Sequence, residues 1–115
     1  MNSSEYFIVT KFRDAVIAFL SHTLNASDYK DKIFSVFDLQ REMADKKELV
    51  YTDLKNPVWG ITGALYSDAD EFCGEINCEH VHSIPLVTEA VLRKFAEEHL
   101  EKLNQFLEKE PNQRN

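Results

Sequence analysis

From Ile8 onward, apolar residues return every three or four positions: Ile8, Phe12, Ala15, Val16, Phe19, Leu20, Thr23 and Leu24 share one stripe. That spacing is one face of an α-helix. Phe7 and Ile17 lie off the stripe, which predicts burial on a second side. Ser3 or Ser4 is placed to cap the helix start, with Glu5 near the positive end of its dipole. The pattern breaks at Asn25 to Asp28, and Ser27 or Asp28 can cap a second helix running from about Tyr29 to Lys47. Ile33, Phe34, Phe37, Met43 and Ala44 form its expected inner face. Its outer positions alternate in charge, the ordinary makeup of a solvated helix surface. Leu49 to Leu54 either extends this helix or begins a strand.

At Asn56-Pro57 the helical rhythm stops, because the residue before proline avoids the α region. Val58 to Ser67 then reads as a strand, with Trp59, Ile61 and Leu65 on one face and Thr62, Ala64 and Tyr66 on the other. Gly60 and Gly63 inside it suggest a bulge or a close backbone approach. Ser67 to Gly74 is a polar turn, and Glu75 to Ile84 reads as the second strand of an antiparallel hairpin. The last helix starts at Ser83 or Thr88 and ends before Pro111. Val91, Leu92, Phe95, Ala96, His99, Leu100, Leu103, Phe106 and Leu107 form its apolar stripe. The expected class is α+β: a small single domain of two N-terminal helices, a central β-hairpin and a long C-terminal helix, in the order α-α-β-β-α.

Composition agrees with a packed domain. Of 115 residues 43% are apolar and 11% aromatic, too many for a disordered chain and enough for a core without disulfides. One domain over 1–115 is expected, with 1–3 and 111–115 frayed. The N-terminus lacks a basic leader, and Lys11, Arg13 and Asp14 interrupt its apolar stretch, so it does not read as a signal peptide. Two cysteines fit a reducing compartment, which points to the cytoplasm.

Charge adds an asymmetry. No Lys or Arg occurs between Lys55 and Arg93, yet six carboxylates do: Asp68, Asp70, Glu71, Glu75, Glu79 and Glu89. All 13 basic residues lie outside this window with the other 14 acids, so the window supplies six of the seven net negative charges. It also holds all three glycines, both cysteines and the single tryptophan. Basic residues elsewhere are interleaved with acids, whereas phosphate backbones demand clustered Lys and Arg; direct nucleic-acid binding is disfavoured. No membrane partner is indicated.

The window offers two candidate chemistries. Cys73, Cys78, His80 and His82 place four zinc-compatible ligands within ten residues, and alternation along a strand would turn Cys78, His80 and His82 to one face. The spacing matches no common zinc finger, and Ile76 and Ile84 would share that face, which favours a packing role. A thiolate nucleophile is opposed by the surrounding acids. The Asp68, Asp70, Glu71 group begins like a calcium loop but puts Phe72 where an oxygen ligand belongs. Neither a glycine-rich phosphate loop nor a Gly-x-Ser-x-Gly elbow is present, so no enzyme is expected.

The second chemistry is recognition. Asp68, Asp70, Glu71, Glu75 and Glu79 beside Tyr66 and Phe72 combine carboxylates with aromatic anchors, the usual composition of a tight interface. The expected function is therefore a non-catalytic acidic protein that inhibits or neutralises a basic partner. Immunity proteins, antitoxins and phage-type inhibitors have this size and charge, and a nuclease toxin or nucleic-acid-binding enzyme is a fitting target. No cofactor is expected under that reading; the alternative is a zinc-binding module built on the Cys73, Cys78, His80 and His82 cluster.

Overall fold

The computed structural model describes residues 2–49, 56–72 and 88–108. Among them are four α-helices and no strand: α1 Ser3–Leu20, α2 Ala26–Asp45, α3 Pro57–Glu71 and α4 Glu89–Glu108. The expected α+β fold is corrected at its centre. Val58 to Ser67, read as the first hairpin strand, lies inside α3, and the supposed turn begins within its last turns. The second expected strand, Glu75 to Ile84, lies outside the described residues, as do Val50 to Leu54.

The start of this helix is marked locally, while burial of one face carries it onward. Asn56 has extended backbone angles (φ −68°, ψ 131°), as a pre-proline residue should. Those same angles suit an N-cap, and its side chain accepts the Val58 N–H at 2.9 Å. Pro57, at the first helical position, lacks an N–H where none is needed and brings a pre-set φ. The dipeptide that excludes a preceding helix thus starts the next one. Val58, Thr62, Leu65 and Ala69 then follow at helical spacing and are all buried.

The caps of α1 and α2 also shift from expectation. Asn2, not Ser3 or Ser4, caps α1 in a reciprocal box: the Glu5 N–H donates to Asn2 Oδ1 at 2.8 Å, and the Asn2 N–H donates to Glu5 Oε1 at 2.7 Å. This arrangement satisfies the Glu5 carboxylate, which is only 2% exposed. Asn25 caps α2 through the Asp28 N–H, so α2 begins at Ala26 and ends at Asp45. Thr88 accepts the Val91 N–H at 3.3 Å ahead of α4. α1 and α2 end in Schellman turns with His22 (φ 64°) and Lys47 (φ 60°) in the left-handed position that glycine usually fills. The diagnostic bonds are Thr23 N–H to the Ala18 carbonyl and Glu48 N–H to the Met43 carbonyl. Phe7 and Ile17, expected to be buried, are instead 48% and 44% exposed.

The helices form a ring in which each packs against two neighbours: α1 on α2 and α4, and α3 on α2 and α4. Cross-helix bonds establish the directions. Asn2, at the start of α1, donates to the Glu48 carbonyl just beyond α2, at 2.9 Å. Lys30, early in α2, donates to the Phe72 carbonyl beyond α3, at 3.2 Å. Arg93, early in α4, donates to the Phe19 carbonyl near the end of α1, at 2.7 Å. Each of these pairs is antiparallel, so the chain runs up, down, up, down, the topology of a four-helix bundle. Ile8, Phe12, Val16 and Phe19 of α1, Tyr29 and Ile33 of α2, Leu65 of α3, and Leu92 and Leu103 of α4 fill the centre. Phe19 stacks on Tyr29 with ring centroids 4.2 Å apart, and the Arg93 guanidinium lies 4.3 Å from the centre of the Phe19 ring.

Candidate functional site

α3 has two sides of unlike character. Val58, Thr62, Leu65 and Ala69 face the core. The opposite side presents Gly60, Gly63, Ala64, Ser67, Asp70 and Glu71 at helical spacing, and of these Gly60, Ser67, Asp70 and Glu71 are exposed. All five recognition residues that fall within the described range, Tyr66, Asp68, Asp70, Glu71 and Phe72, therefore cluster at the last turns of this helix.

They play different parts there. Tyr66 belongs to an aromatic seam between α2 and α3: its ring lies 4.6 Å from Phe37 and 5.1 Å from Phe34, centroid to centroid. Trp59 extends the seam two turns earlier on α3, meeting Phe37 edge-on at 6.3 Å. All four rings are half-buried, so the seam closes the α2–α3 joint and borders the outer surface of α3. Asp68 turns the other way. Its Oδ2 lies 2.8 Å from Nε2 of His99 on α4, and both side chains are largely buried. This pair ties α3 to α4 and removes Asp68 from the free acidic surface. Burial above all, with the Asp68 charge added, pushes the Tyr29 phenol well above its ordinary pKa. Phe72 packs partly against the core while its carbonyl accepts from Lys30.

Asp70 and Glu71 remain as the outward carboxylates, and neither has an ion-pair partner among the described residues. They sit at the end of α3 where the helix dipole is negative, and the last turn holds no basic residue to offset them. Like charge at that end costs about 0.3–1 kcal/mol per residue. Gly60 and Gly63 cost more, about 0.8–1 kcal/mol each relative to alanine in a helix interior. Among the described residues nothing calls for them. Neither has a positive φ, and a Cβ built on either would meet no atom within 4 Å. Four residues on one helix face thus oppose local stability, and none of the other described residues compensates for them.

Glu75 and Glu79, the remaining expected recognition residues, lie outside the described residues. So does the entire zinc candidate set, Cys73, Cys78, His80 and His82. Among the described residues no group of three or more His, Cys, Asp or Glu is arranged to hold a metal ion. No described helix is long and apolar enough to cross a membrane.

Phe34, Phe37 and Trp59 join the site only through tertiary packing. Gly60 and Gly63 were visible in the sequence, but a strand reading turns them into a bulge rather than an open helix face. Their i, i+3 spacing, continued by Ser67 and Asp70, is the signal that would have exposed the face. Set against protein-family models, curated proteins and solved structures, the chain matches none.

Proposed function

We propose that this chain is a small, non-catalytic, acidic binding protein that neutralises a basic protein partner in the cytoplasm through the outer face of α3. The carrying observation is the set of four locally unfavourable residues on that face: Gly60, Gly63, Asp70 and Glu71. Residues that cost local stability and gain no compensating contact among the described residues are expected where function has its own demands. Two glycines with open space above them let a partner backbone approach closely. Exposed carboxylates beyond them attract a positive surface, speed encounter and select against acidic competitors. Glu75 and Glu79 continue the same charge along the chain. An immunity protein, antitoxin or phage-type inhibitor acting on a nuclease toxin or another nucleic-acid-binding enzyme has this chemistry, since such targets carry basic surfaces.

Affinity capture from the native cell with tagged protein and salt elution tests the reading. The expected result is a basic protein held by the wild type, lost from the Asp70→Lys/Glu71→Lys variant, and weakened at least tenfold in the Gly60→Ala/Gly63→Ala variant. Melting curves run alongside check that both variants are folded. If folded variants of both kinds retain the same protein with unchanged affinity, α3 is not the recognition surface.

A further inference from the structure

We draw no further inference here: the strongest candidate, the groove of about 390 Å³ between the start of α1 and the end of α2, lined by Ser3, Ser4, Phe7, Leu39, Met43 and Glu48, carries none because nothing in the structure shows what covers it.

Discussion

α1 and α3 are both built largely from uncharged residues, but they stand in opposite relations to the bundle. α1 buries seven of its 18 residues, three of them among the largest side chains in the core, and even its buried carboxylate, Glu5, is satisfied within its own cap. α3 buries only four of its 15 residues, and one of those is the polar Thr62. Its outer face adds two glycines and two misplaced carboxylates. α1 therefore anchors the core, whereas α3 is held in place by its neighbours. Three side-chain ties do much of that holding: Lys30 to the Phe72 carbonyl, Gln40 to Thr62, and His99 to Asp68. A helix secured from its sides keeps its outward face available.

The sharpest way to break this comparison is to cut into the anchor. Phe12 is fully buried in α1, so Phe12→Ala should destabilise the fold by about 3–5 kcal/mol, read by denaturant or thermal unfolding. A loss below about 1 kcal/mol would mean that α1 is not the centre of the core.

A smaller effect is expected at the tie between α2 and α3. Gln40 and Thr62 are both fully buried; Gln40 Nε2 donates to Thr62 Oγ1 at 3.1 Å, while Gln40 Oε1 has no partner among the described residues. Thr62→Val strands the whole amide in the interior and should cost about 1–3 kcal/mol. Adding Gln40→Leu removes the stranded group and should recover most of that loss. Additive losses in the double variant would show that the two side chains do not act as a pair.

On the outer face of α3 the sign reverses. Gly60→Ala and Gly63→Ala should each raise stability by about 0.5–1 kcal/mol, because alanine favours the helix and meets no obstacle. A drop in melting temperature would mean that the glycines serve the fold, and the proposed binding face would lose its main support.

The smallest effect at neutral pH is at Tyr29. Its folded pKa is raised by burial and by Asp68, so the neutral phenol is the form that the fold favours. The associated stability is fully present below the unfolded value of about 10 and declines as pH rises beyond it. Tyr29→Phe should flatten the alkaline limb of a stability-versus-pH curve while leaving the acid limb as it is. An unchanged alkaline limb would assign that sensitivity to other groups.

Much of this fold was legible from residue spacing. The stripes of α1, α2 and α4 are long, and their 3.6-residue period repeats enough times to leave little room for a strand. α3 was not legible in the same way. Its core stripe is only Val58, Thr62, Leu65 and Ala69, and two glycines on the other side of the same segment weaken either assignment. Trp59, Ile61 and Leu65 imitate strand alternation, and Asn56-Pro57 marks a boundary without saying which element follows it. The candidate site fared likewise. Asp70 and Glu71 stood out as charges, but Asp68 looked equivalent to them until His99 was found beside it.

By itself, then, the sequence determined the amphipathic helices at either end and the charge asymmetry, because period and composition are local properties of the chain. Only tertiary structure decided that Pro57 to Glu71 is a helix, since marginal local preference is overruled by the burial of four side chains against α2 and α4. Packing likewise separated the acidic residues. Asp68 faces a histidine inside the α3–α4 joint, whereas Asp70 and Glu71, only a few residues further along the same turns, face outward on the side of the helix that also carries Gly60 and Gly63.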